Sequence, residues 1–335
     1  MNRRRFSLIP SLSAVALSVL LWGLGCAHRP GKPLTRSGDE IMVAGQLFHT
    51  GTPVVLWTDP GGYDGYRVER RFVPFDHSDW ETSKKEEPNL TTPNRYGLRR
   101  AGLDTNQLER VRGGGWSLPE LQNVVDQFVL HFDACGTSRR CFQVLHDERG
   151  LSVHFMLDVD GTIYQTLDLK ERAWHATSSN TRGIGIEIAQ IGAYPPESRK
   201  RLEPWYTTDL SGVRLTFPVW LGDTGIRTPD FVGRPARPEL ITGEIQGETL
   251  VQYDFTPQQY AALARLTATL AEVFPKLKLT YPRDANGQLI RQALPASDLA
   301  NFQGVLGHFH IQTNKVDPGP ALDWDKLLRE AKRAR

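Results

Sequence analysis

Phe128-Val129-Leu130, just ahead of His131, is an apolar run of strand length; it reads as a buried strand that delivers His131 to a sheet edge. Leu151 to Leu157 and Thr162 to Leu167 flank Asp158-Val159-Asp160-Gly161, the pattern of two strands joined by a hairpin turn. Gly183 to Ala189 alternates apolar residues with others, and its one charge is Glu187. An acid in an otherwise apolar strand is costly unless it has a partner or a task. Helical signals are sharper. Ser117 with Glu120 three residues on predicts a capping box and a short helix to about Val125. Thr256-Pro257-Gln258-Gln259 predicts a capped helix start, and Leu263, Leu266, Leu270, Val273 and Phe274 recur at helical spacing until Pro275.

The remaining stretches are less regular. Residues 26–115 read as an N-terminal extension, mainly β and loop, with short strands at 46–48 and 54–57, a third candidate over Tyr66 to Phe75, a charged loop from Lys84 to Asn94, and a joint at Gly113-Gly114-Gly115. Residues 193 to about 250 are rich in Pro, Gly, Arg and Trp and read as an insertion. It holds at least one hairpin, Leu240 to Tyr253 around Gln246-Gly247, and is a candidate wall for a cleft or a packing decoration. Leu277 to Tyr281 is a further strand candidate.

The first residues carry a different pattern. Arg3-Arg4-Arg5 precedes an apolar run from Phe6 to Leu24, which is the layout of an export signal over residues 1–25, by the general or the twin-arginine route. Cys26 ends that run and resembles the lipid-acceptor cysteine of bacterial lipoproteins, so the expectation is an exported, lipid-anchored envelope protein. Removing residues 1–25 takes away three arginines and no acid, moving the formal charge from +2 to −1. A nearly neutral chain argues against electrostatic binding of nucleic acid. Export also permits a disulfide. Cys135 and Cys141 can close a small loop, or remain thiols open to a metal.

Candidate chemistry gathers near the C-terminus. Gly307-His308-Phe309-His310 and Lys315-Val316-Asp317-Pro318-Gly319-Pro320 bring imidazoles, a carboxylate and a lysine within a short segment. Imidazole and carboxylate together suit zinc, and a catalytic zinc takes three protein ligands with one position left open. His308 and Asp317 supply two, and His131 is the upstream candidate for the third. His310 points to the opposite side if the segment is extended, though a His308-x-His310 pair remains an alternative ligand set. His154 reads as a structural strand residue, and His175, after Trp174, stands between cleft-lining and structural roles.

The ordered set Val129-Leu130-His131, Val153-His154-Phe155 with Asp160 to Gln165, Ala173-Trp174-His175-Ala176, Ile184-Gly185-Ile186-Glu187, Gly307-His308 and Lys315 to Pro320 resembles the zinc-dependent N-acetylmuramoyl-L-alanine amidases related to peptidoglycan recognition proteins and to phage lysozyme-type amidases. The resemblance implies an α/β fold over residues 116–335, with a central mixed β-sheet flanked by helices. It implies one Zn²⁺ held by His131, His308 and Asp317, with Glu187 as catalytic acid and base and Lys315 beside the reacting carbonyl. The Cys135–Cys141 spacing is similar to the small disulfide loop of the recognition proteins. One departure is plain: Phe132-Asp133 follows His131, where the family usually has a His or Asn and then a small residue. The implied activity is hydrolysis of the amide between N-acetylmuramic acid and L-alanine, with peptidoglycan or muropeptides as partner. A peptidoglycan-binding module without turnover and a zinc peptidase cutting within the stem peptide are the other readings.

Overall fold

The computed structural model describes residues 30–112 and 115–335. The expected export signal, Cys26 and Gly113-Gly114 lie outside the described residues. The chain divides into two units, Met1–Ser37 and Gly38–Arg335. Residues 30–37 of the first form neither helix nor strand. Among the described residues no helix is long and apolar enough to cross a membrane.

The second unit is built on a six-stranded mixed sheet, which bears out the expected fold class. In spatial order the strands are Gly304–Gly307, Gln127–Phe132, Gly183–Ile188, Phe155–Leu157, Ile163–Gln165 and Val54–Leu56. The first four run parallel, Ile163–Gln165 turns back antiparallel, and Val54–Leu56 lies parallel to it. Alternation then sorts the two faces. Phe128, Leu130, Ile184, Ile186 and Ile188 pack in one core with the helix Pro257–Val273 and the C-terminal helix Trp324–Ala334. His131 and Glu187, at the alternate positions, stand on the opposite face.

The helix signals hold. Ser117 and Glu120 form the capping box of Leu118–Val124, and Thr256 and Gln259 that of Pro257–Val273. The Leu240–Tyr253 hairpin is present as Ile241–Ile245 paired with Glu248–Gln252. Three expectations fail. Tyr66 to Phe75 forms no strand, because Arg71 and Phe72 give their amides to the Asp147 carboxylate instead of a neighbouring strand. The loop from Lys84 begins inside the helix Trp80–Glu86, which Asp79 caps. Leu277 to Tyr281 lies beside the sheet with only part of a ladder's bonds, and is not a strand.

From Gly38 onward the N-terminal extension is not an appendage. Val54–Leu56 is the edge strand of the main sheet, and the hairpin Glu40–Val43 with Gln46–His49 is fastened to it by side chains. Gln165 bonds both Met42 backbone groups (2.7 and 2.8 Å), and the Asp168 carboxylate accepts from the amides of Ala44 and Gly45 (2.8 Å each). Tyr96–Leu98 pairs with Glu171–Ala173 and carries Arg99 into the interior. The extension also contains the helices Trp80–Glu86 and Thr105–Arg112, so it is less purely β and loop than its sequence suggests.

Candidate active site

His131 and Glu187 are direct register partners on neighbouring parallel strands, so their side chains leave the same face about 4.8 Å apart at the backbone. The next strand, Gly304–Gly307, ends against the tip of the His131 strand. There the chain turns into a 3-10 turn, His308–His310, and doubles back to Asp317. Gly307 allows this return, because a Cβ there would lie 2.7 Å from Cδ of Pro318. The Phe309 amide bonds the Asp317 carbonyl at 3.2 Å and holds the two limbs together.

The result is a buried triangle. Nδ1 of His131 lies 2.8 Å from Oδ2 of Asp317, Nδ1 of His308 lies 3.0 Å from the same oxygen, and the two nitrogens are 3.0 Å apart. All three residues are buried. Four tetrahedral ligands at about 2.0–2.1 Å from zinc stand roughly 3.3 Å apart, so this donor set fits the ion with only slight spreading. Protons cannot occupy both facing nitrogens without repulsion, whereas a cation satisfies all three lone pairs at once. Burial and the neighbouring His308 push His131 down to about 4, leaving its imidazole neutral and basic in the ligand sense. Burial alone would raise the Asp317 carboxyl, but the two imidazoles hold it below the usual carboxylate range. The three ligands expected from sequence therefore do meet.

Each imidazole is oriented by its other nitrogen. Nε2 of His308 donates to Oε1 of Gln312 at 2.7 Å, which leaves Nδ1 as the lone-pair atom. Nε2 of His131 lies 3.0 Å from Nδ1 of His175, a cleft residue by location and a partner of the site by contact. Such second contacts fix ring orientation and ligand basicity. Nε2 of His175 is buried without a partner among the described residues.

A cavity of about 210 Å³ opens beside the triangle, lined by Glu187, Lys315, Arg149, Trp174 and both cysteines among others. Larger clefts exist at other surfaces, one beside the Gln46–His49 strand and one beside the C-terminal helix; His49 at the edge of the first converges with Asp39 and Glu40, but that group is partly exposed, whereas all three of His131, His308 and Asp317 are buried. Burial, followed by the carboxylates of Asp317 and Asp133, raises the Glu187 carboxyl well above its ordinary range. A carboxyl in such surroundings can take up a proton and give it back. Lys315 shares the cavity, as its spacing to Asp317 led one to expect.

Other candidates resolve differently. His310 spends both nitrogens on backbone, Nδ1 accepting from the Gly307 amide at 2.9 Å and Nε2 donating to the Ile290 carbonyl at 2.8 Å, so it does not pair with His308 as a ligand. His154 is structural: its Nδ1 accepts from the Gly185 amide at 3.1 Å and its Nε2 faces the Glu171 carbonyl at 3.0 Å. Cys135 and Cys141 are free thiols rather than the expected disulfide, and burial raises the Cys141 thiol, which bonds to Cys135. Asp133 belongs to the turn, not the ligand set; its Oδ1 accepts from the amides of Cys135, Gly136 and Gln190 at 2.9 to 3.0 Å. Gln312 and Arg149 escaped the sequence reading. A glutamine four residues after a ligand histidine is a usable signal for the first, while a lone arginine before a glycine carries none.

Residues 121–212 match the family model described as N-acetylmuramoyl-L-alanine amidase. That span holds His131, His175 and Glu187; His308, Lys315 and Asp317 join it through the fold. No curated protein is detectably similar in sequence. Among solved structures, a selenomethionine derivative of AmpD is 17% identical, covering 80% of this chain and 98% of that one, with a TM-score of 0.31. The endolysine N-acetylmuramoyl-L-alanine amidase LysCS from Clostridium intestinale URNW is 14% identical over 63% of this chain and 86% of its own, with a TM-score of 0.32. The N-acetylmuramyl-L-alanine amidase AmiD from E. coli, in complex with the substrate anhydro-N-acetylmuramic acid-L-Ala-D-gamma-Glu-L-Lys, is 15% identical over 70% of this chain and 65% of its own, with a TM-score of 0.34.

Proposed function

We propose that this chain belongs to the N-acetylmuramoyl-L-alanine amidase family, whose model residues 121–212 match, and that it hydrolyses the amide joining the lactyl group of N-acetylmuramic acid to the L-alanine of the stem peptide. One observation carries the reading: Nδ1 of His131, Nδ1 of His308 and Oδ2 of Asp317 converge within 3.0 Å of one another in a cavity that also holds Glu187.

His131, His308 and Asp317 would hold a single Zn²⁺, two neutral nitrogens and one carboxylate against its double charge. When bound, zinc supplies Lewis acidity that polarises the amide carbonyl and acidifies water. Glu187, on the strand beside His131, takes the proton of the attacking water and returns it to the departing nitrogen. The ammonium of Lys315 opposes the negative charge that grows on the carbonyl oxygen; losing one such group typically costs on the order of 10²–10³ in rate. Arg149 and Lys315 bring cationic groups to the cavity lining, which suits a peptide bearing carboxylates. The export-signal pattern and Cys26 support a cell-envelope location, with a role in wall remodelling, degradation or recycling.

The test is mass spectrometry of peptidoglycan digested with and without a chelator. Stem peptides with a free L-alanine amino group, released only when zinc is present, support the proposal. Cleavage between amino acids or between sugars overturns it, as does binding without turnover.

A further inference from the structure

The loop from His308 to Asp317 carries two of the three ligands, yet it lies outside helix and sheet apart from one 3-10 turn. Its backbone groups need partners from elsewhere. The hairpin Ile241–Ile245 with Glu248–Gln252, part of the insertion, provides them. At the hairpin tip, Nε2 of Gln246 donates to the carbonyls of Phe309 at 2.8 Å and Gln312 at 3.0 Å, and its Oε1 accepts from the Ala293 amide at 3.2 Å. At the far end, Nε2 of Gln252 donates to the Pro318 carbonyl at 3.1 Å, and its Oε1 accepts from the Ala321 amide at 3.0 Å. Between them the hairpin backbone closes on the loop, since a Cβ on Gly243 would lie 2.7 Å from Cβ of Pro320.

We infer that this hairpin is a brace that sets the metal ligands, with Gln246 and Gln252 as positioning residues, one gripping the His308 limb and the other the Asp317 limb. Gln246 holds the backbone of Gln312, whose side chain in turn orients His308. Gln252 is fully buried and grips the turn that follows Asp317 directly. The insertion is then neither a mere wall nor decoration. It removes freedom from a loop that must present two ligands at one point, and a loop already ordered loses less entropy on taking up a cation.

The inference rests on the proposed zinc site, but its test does not depend on turnover. Gln246 has φ of 57° at a turn where glycine is at ease, so Gln246→Gly deletes the grip and keeps the hairpin. Gln252→Ala deletes the second grip. Zinc affinity of each full-length variant is measured by competition with a chromophoric chelator, and amide exchange over residues 307–321 is measured in the metal-free chain. We expect each variant to bind zinc about 10- to 100-fold more weakly, as loss of an outer partner does, and to exchange about tenfold faster in that loop. A wild-type chain that binds zinc with variants of equal affinity and equal loop protection overturns the brace and leaves the zinc site standing. A wild-type chain that binds no zinc overturns the site, while faster loop exchange in the variants still upholds the brace.

Discussion

Gly185 leaves the space that the imidazole of His175 fills: a Cβ at that position would lie 2.6 Å from Nδ1 and Cε1 of the ring. The same ring stands 3.0 Å from Nε2 of His131. A missing side chain on the strand that bears Glu187 thus lets a loop histidine reach His131 on the next strand. Gly185→Ala is expected to displace His175 and weaken zinc binding about 10-fold, and His175→Ala about 10- to 100-fold. Oδ1 of asparagine can stand where Nδ1 of His175 accepts, so His175→Asn should restore most of the affinity. Chelator competition checks all three variants. Unchanged affinity in His175→Ala would sink the orienting role.

Glu187 and Asp317 should separate cleanly by experiment. On the proposed roles, Glu187→Gln removes the proton carrier and leaves the His131-His308-Asp317 triangle, so turnover should drop on the order of 10²–10⁴ with zinc stoichiometry intact. Asp317→Asn removes the negative ligand and should empty the site of metal as well. Metal analysis beside muropeptide turnover distinguishes them. Loss of zinc in the Glu187 variant would mean that the acid belongs to the ligand set.

Arg99 joins the N-terminal extension to the site's foundation. It is fully buried and donates to the carbonyls of Leu169, Thr181 and Gly183 at 3.0 to 3.1 Å. Its guanidinium also lies 3.0 Å from Nε2 of His154, the residue that receives the Gly185 amide. Arg99→Ala strands these carbonyls and should cost about 3–5 kcal/mol, seen as a lower midpoint in urea unfolding. Arg99→Lys should recover little, since a lysine has three donors and no planar fork. A truncation beginning after residue 115 should fail to fold stably, because it removes Arg99 together with the edge strand Val54–Leu56.

Asp158 gives a pH dependence with a definite sign. It is fully buried at the turn after Phe155–Leu157, and burial, with Asp160 and Asp133 adding to it, pushes its carboxyl up to about 8. The folded chain therefore keeps a proton that the unfolded chain releases near 4. Its stabilising contribution is complete below about 4 and lost as pH rises through 8. The thermal stability of wild type should fall between pH 5 and 9, and Asp158→Asn should flatten that slope. An equal slope in both proteins would refute the assignment.

Local rules in the chain were enough for some of its regular parts. The capping boxes at Ser117 and Thr256, the hairpin around Gln246-Gly247 and the apolar runs before His131 and around Glu187 appear where short-range pattern places them, because each depends on neighbours a few residues away. The three ligand residues were also legible as residue types at the ends of elements. Their convergence was expected from donor chemistry and from the family resemblance, but no local rule supplies it. It depends on the order in which parallel strands lie side by side, which sets residues 131, 187 and 308 along one sheet edge although long stretches of chain separate them. The partners that orient the site were hidden for the same reason. Gln246, Gln252 and Arg99 have no distinctive local pattern, and their role is to satisfy backbone groups of distant loops that exist only once the chain is folded. The sequence by itself determined which groups are available and which elements carry them. Packing between those elements decided which groups meet, since burial leaves each polar atom only the partners that the fold brings within reach.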